Sequence, residues 1–139
     1  MGKYFLVSFL AILLVFVGVS CKKSKEKKIV GEWAFVPMNN VESASNQQIW
    51  TFEATNKLNI EVKNKDTTYI YNGSYEVSSK FMKGNYVDIT GIYKYWNGLY
   101  KIEKLKDNEM VLNRVEKNAD SVNPDEDGGV FLWKEFIKK

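Results

Sequence analysis

Two apolar patterns divide the chain. From Tyr4 to Val19 nearly every position is apolar, and only Ser8 and Gly18 interrupt the run. From Ile29 onward no stretch keeps apolar residues at i, i+3, i+4 and i+7 for three helical turns. Apolar and polar positions alternate there in short segments separated by turn residues. Leu58, Ile60 and Val62, alternating with Asn59, Glu61 and Lys63, form the clearest half-buried strand. The same pattern predicts strands over residues 29–36, 49–53, 58–63, 67–77, 86–96, 99–105, 110–115 and 130–137. Pro37 stops the first, Gly73 is read as a bulge or bend in the fourth, and Gly91 as a bend in the fifth. Asn97-Gly98, between Trp96 and Leu99, is the strongest hairpin signal, because a type I′ turn needs positive φ at both central positions. Residues 38–46 and 116–129 read as polar loops. Strands in simple succession, joined mostly by short turns, predict an all-β fold: one small eight-stranded antiparallel up-and-down barrel, whose closure removes exposed edges.

The first apolar run has a different meaning. Lys3 precedes it and small residues follow it, which is the layout of a secretory signal peptide over residues 1–20. Its roughly sixteen residues are near the lower limit for crossing a hydrocarbon core of ~30 Å. At Val19-Ser20-Cys21 the chain resembles a bacterial lipobox, although Gly18 stands where that pattern prefers a bulky aliphatic residue. The resemblance implies cleavage before Cys21 and acylation of that cysteine with several fatty chains, and two or more chains give a stable membrane anchor. An uncleaved signal anchor would hold the domain outside the cytoplasm as well. Residues 22–28 carry five lysines, one glutamate and no apolar side chain, so residues 21–28 are expected to be a lipidated cysteine and a solvated basic tether. Such a tether can lie against anionic headgroups. By the sorting pattern of these lipoproteins, Lys22 directly after the cysteine implies the outer membrane. The lack of an acidic cluster after Cys21 favours the periplasm-facing side.

Composition narrows the function of the remaining domain, residues 29–139. The net charge of the chain is +3, but the domain holds 14 basic and 16 acidic residues, a net of −2, because the basic excess sits in the tether. Nucleic acid therefore loses its support as a partner. The chain has no histidine, and its one cysteine is the lipidation candidate. Cys and His nucleophile or base arrangements and the usual zinc sites are excluded on that ground. A binding role is expected rather than an enzyme, with no cofactor and no metal.

Gly31-Glu32-Trp33 on the first strand matches the Gly-x-Trp signature of lipocalins. Tyr75-Glu76-Val77, Tyr100-Lys101-Ile102, Met110-Val111-Leu112 and a terminal aromatic strand ending in lysines follow in order. With these the domain resembles the lipocalin-like lipoproteins of Gram-negative bacteria over most of residues 29–139. The resemblance implies an eight-stranded barrel in which Trp33 closes one end and an arginine from a late strand packs over its ring. Arg114 is the only arginine. It falls on the next-to-last expected strand, whereas lipocalins usually take this residue from the last. Gly31, Trp33 and Arg114 are thus a candidate structural signature.

Tyr93, Tyr95, Trp96 and Tyr100 bracket the Asn97-Gly98 turn and are the candidate contacts for a ligand or partner; the plainer reading is cross-strand aromatic pairing. Trp50, Phe52, Phe131 and Trp133 are read as barrel filling. Asp120, Asn123, Asp125, Glu126, Asp127, Gly128 and Gly129 form an acidic loop with no complete calcium motif, read as solvated. The function expected is a membrane-anchored binding module for a small apolar ligand in the cell envelope. The alternative is a protein-interaction module, such as an inhibitor, immunity factor or accessory subunit of an envelope complex. It would have a barrel filled by its own side chains and an apolar patch near Tyr93 to Trp96. A short domain rich in large aromatics predicts a narrow or partly filled interior.

Overall fold

The computed structural model describes residues 23–37, 47–80, 82–116 and 133–139. A short helix, α1 (residues 23–29), precedes eight strands. They are β1 (Gly31–Val36), β2 (Gln47–Phe52), β3 (Lys57–Lys63), β4 (Thr68–Lys80), β5 (Gly84–Thr90), β6 (Gly98–Leu105), β7 (Glu109–Glu116) and β8 (Trp133–Lys138). Each strand pairs antiparallel with the next, and β8 returns to β1 with Trp33 opposite Lys138 and Val36 opposite Glu135. The barrel is closed, as the succession of alternating segments predicts.

Alternation decides what fills it. In β3, Leu58 and Ile60 are buried while Asn59 and Glu61 lie half-exposed on the outer face. In β7, Met110, Leu112 and Arg114 point inward. Aromatic rings occupy much of the interior in edge-to-face contacts: Trp50 with Phe136 at 5.2 Å between centroids, and Phe52 with Tyr75 at 5.0 Å. Such pairs add ~0.5–1.5 kcal/mol each beyond the area they bury.

The register gives the barrel two unlike ends. At one, α1 meets the turns β2–β3, β4–β5 and β6–β7. Ile29 is fully buried there, and the Trp33 indole donates from Nε1 to its carbonyl at 2.7 Å. Lys138 Nζ donates to the Val30 carbonyl at 3.2 Å and stands 5.1 Å from the Trp33 ring centroid. Lys28 reaches Asp107 in the β6–β7 turn at 3.2 Å, an exposed pair of small energetic weight. This is the closed end. The β3–β4 turn and residues 91–97 lie at the other, the mouth.

Several expected boundaries shift, each for a physical reason. Residues 23–29 are helical rather than irregular, and the first strand begins at Gly31, not Ile29. Lysine and glutamate are good helix formers, and the buried Ile29 fixes the end of α1. At Gly31, φ is +134°, which lets the chain turn from helix into strand. β4 runs on to Lys80, past the expected Val77, and β8 is described from Trp133, the expected residues 130–132 lying outside the described residues. Gly73 makes no bulge: it sits in regular register between Leu58 on β3 and the run of β5. A Cβ there would lie 2.3 Å from the Ile92 side chain and 2.4 Å from the Thr90 carbonyl, so the glycine admits a close crossing. Trp50 and Phe52 fill the barrel as expected, but Trp133 is 43% exposed on the outer wall.

Gly73→Ala is expected to destabilise the barrel by ~1–3 kcal/mol, because the Thr90 backbone cannot yield cheaply. The urea midpoint checks this, and an unchanged midpoint would show that the crossing is not tight.

Candidate functional site

The mouth is built on the segment between β5 and β6. β5 ends at Thr90 because Gly91, at φ +74°, turns the chain away from the ladder. Trp96 N and Asn97 N then both donate to the Tyr93 carbonyl, at 2.8 and 2.9 Å, closing a tight loop. The side chain of Asn97 is buried, and its Oδ1 accepts a bond from Ile92 N at 3.0 Å. Asn97-Gly98 is therefore not the tip of a two-residue hairpin. Gly98 pairs with Ile89 as the first residue of β6, and its glycine is required by something else. Its φ is +140°, and an added Cβ would stand 2.8 Å from Arg114 Cδ and 2.9 Å from the Glu116 carbonyl.

Arg114 explains that crowding. It is buried on β7 and reaches across Gly98 to the loop, donating from Nη1 to the Tyr95 carbonyl at 2.8 Å and to the Asn97 carbonyl at 3.5 Å. Trp33 and Arg114 thus serve opposite ends of the barrel. The cation over the Trp33 ring is Lys138, from the last strand, and not Arg114. Gly31, the other signature position, provides the helix-to-strand turn described above.

Three of the four candidate contacts come together in the loop. Tyr93 packs against Tyr95 at 5.3 Å and Trp96 at 5.6 Å, and Tyr71 of β4 joins them, edge-on to Trp96 at 5.1 Å. Trp96 also contacts Trp50 at 6.2 Å, linking the cluster to the core. These are loop rings stacked over a mouth, not cross-strand pairs. Tyr93 is 43% exposed, and Tyr69 and Ile70, at the start of β4, extend the exposed apolar surface of the same end. Tyr100 does not belong with them: it is fully buried, and its hydroxyl donates to the Trp96 carbonyl at 2.9 Å, so it supports the loop from beneath. Burial pushes its phenol well above the ordinary range, against the opposing pull of Arg114.

One residue of this region escaped the sequence reading. Lys134 of β8 is buried, and its ammonium lies 5.7 Å from the ring centroids of both Phe35 and Trp50. Burial, with the nearby Arg114 acting in the same direction, lowers it from 10.5 to about 7. The two ring faces pull the other way, because they favour the charged form. The charged side chains buried among the described residues are these two cations, both set below the aromatic cluster. On the outer wall, a separate groove of about 230 Å³ runs along β7 and β8 between Val36, Val111 and Ile137.

Cys21, residues 1–20 expected as a signal peptide, Phe131 and the loop residues Asp120, Asn123, Asp125, Glu126, Asp127, Gly128 and Gly129 lie outside the described residues. Comparison with protein-family models, with curated proteins and with solved structures gives no match.

Lys134 makes stability pH-dependent in a fixed direction. Between pH ~7 and ~10 the unfolded chain holds a proton on this amine that the folded chain has shed. Stability is therefore expected to rise with pH across that window, by at most ~1.4 kcal/mol per unit, and to be insensitive to this group below it. Lys134→Met should flatten the rise in urea titrations; an equal slope in both proteins would assign it elsewhere.

Proposed function

We propose that this chain is a lipid-anchored, non-enzymatic binding module of the cell envelope whose target is a small ligand with an apolar body, taken at the barrel mouth. The observation that carries the reading is the cluster of Tyr71, Tyr93, Tyr95 and Trp96. These are large flat rings, partly exposed and mutually braced, three of them on a loop whose path is fixed from below. Rings held this way lose little conformational freedom on binding, so less of their contact energy is offset by ordering. The ligand rests among the rings rather than deep in the barrel, where Trp50, Tyr100, Phe136, Arg114 and Lys134 already stand. Acylation of Cys21, the outer-membrane address, the periplasm-facing side and the resemblance to lipocalin-like lipoproteins complete the proposal. They rest on the sequence features given above.

The same interior packing favours a second reading. A barrel filled by its own side chains, with Tyr69, Ile70 and Tyr93 exposed around its mouth, is also what a protein-interaction module presents. In that case the partner is another envelope component.

Native mass spectrometry of residues 22–139, purified without detergent from the periplasm of expressing cells, separates the two. Under the first reading the protein carries extra mass that leaves as a small molecule on denaturation. Tyr93→Ala/Trp96→Ala then loses that mass while keeping its circular dichroism spectrum. A bare mass, with no uptake of added fatty acids, would replace the ligand with a protein partner. Anchoring is tested separately: Cys21→Ser should move the full-length protein from the membrane to the soluble periplasmic fraction. Retention in the membrane without the cysteine would overturn lipidation.

A further inference from the structure

The closed end has a charge character that the mouth lacks. α1 carries four lysines, and the hairpin turns around it add Lys57, Lys80, Lys83 and Lys106. The end of β8 adds Lys138 and Lys139. Against these ten, the acidic side chains in the same segments are Glu26, Glu53, Asp107 and Glu109, the last paired with Lys104. Elsewhere on the described barrel five exposed or half-exposed lysines face eight carboxylates, so among the described residues the excess of lysine is confined to this end. Lys57, Lys83 and Lys106 are exposed at three different turns. In the β4–β5 turn, Met82 is 91% exposed at φ +56°, an apolar tip on a basic face.

We propose that this face docks flat on an anionic lipid surface, with the turn lysines among the headgroups and Met82 at the interface. The chemistry fits a membrane better than a small anion. Lysine ammoniums are compact charges on flexible stems, spread here over several turns rather than converging on one point. Crowded like charges repel one another, and an anionic sheet relieves that repulsion at every turn together. The inference deepens the lipid-anchored reading and rests on it for orientation. α1 begins two residues after Cys21, so an anchor there stands at most ~7 Å from the start of α1, the helix that leads into this end of the barrel. The mouth then points away from the anchoring membrane, and its ligand arrives from the aqueous side.

The test uses residues 22–139, which lack the cysteine, so its outcome is independent of lipidation. This segment is self-contained, since all eight strands are paired on both sides between Gly31 and Lys138. The protein is expected to float with vesicles of mixed phosphatidylglycerol and phosphatidylcholine, not with phosphatidylcholine alone, and to release at high salt. Each basic residue near an anionic surface is worth about fivefold in affinity. Lys57→Glu/Lys83→Glu/Lys106→Glu should therefore weaken partitioning by ~100-fold or more, and Met82→Ser should weaken it further. Lys65→Glu/Lys94→Glu at the mouth should leave it unchanged, with circular dichroism confirming the fold of each variant. The proposal is overturned if nothing floats, if neutral vesicles serve equally, or if the mouth pair matters as much. A triple variant that floats like the parent would also overturn it, because the lysines of α1 would then suffice alone.

Discussion

The pairing of β8 with β1 is the contact on which the rest of this molecule depends. It joins residues about a hundred positions apart, from Trp33 with Lys138 to Val36 with Glu135, and it turns a meander with two open edges into a barrel with none. It also fixes parity. Once these strands are in register, Phe136 and Lys134 must face inward and Glu135 and Ile137 outward, since a slip of one residue would exchange the two sets. The buried amine beneath the mouth is thus a consequence of closure. Phe136, two positions along, fixes the strand's inward face, and the ladder carries Lys134 inside with it.

Closure also separates the ends chemically. At the closed end the grip is short-range and apolar: Ile29 seals the core, and the indole of Trp33 is held by a carbonyl below and an ammonium above. At the mouth the grip is polar. Arg114, Asn97 and Tyr100 bind main-chain groups of residues 92–97 and leave the rings of that segment to stack outward. One end therefore has a fixed seal, and the other has an apolar surface resting on a rigid frame.

The eight-strand barrel was legible in the sequence because period-two alternation survives in nearly every strand, most plainly in Leu58, Ile60 and Val62. What was not legible depended on the third dimension. Asn97-Gly98 reads locally as a hairpin, yet Gly98 is glycine because Arg114, sixteen positions later, passes over it. Gly73 reads as a bulge, yet it serves the crossing of Thr90 and Ile92. Tyr100 reads as a neighbour of the mouth aromatics, but its strand carries it beneath them. Trp133 reads as barrel filling by residue type and nothing marks Lys134, yet the parity set by Phe136 puts Lys134 inside and Trp133 outside. That signal was present in the alternation of residues 133–136 and was outweighed by hydrophobicity. The helical form of residues 23–29 had a weaker trace, in good helix formers leading to an isoleucine that had somewhere to bury.

The hydrogen bonds described above for the mouth loop grip its backbone. Arg114 takes the carbonyls of Tyr95 and Asn97, Tyr100 takes that of Trp96, Asn97 accepts from the amide of Ile92, and the loop closes on the carbonyl of Tyr93. None of these bonds depends on the identity of the side chains at positions 93 to 95. The loop is therefore built as the hypervariable segments of an immune receptor are: its course is set by the chemistry underneath, while the groups it displays are open to exchange. A library randomised at 93–95 over an unaltered Gly91, Asn97, Gly98, Tyr100 and Arg114 would vary the surface the barrel displays without asking the barrel to refold.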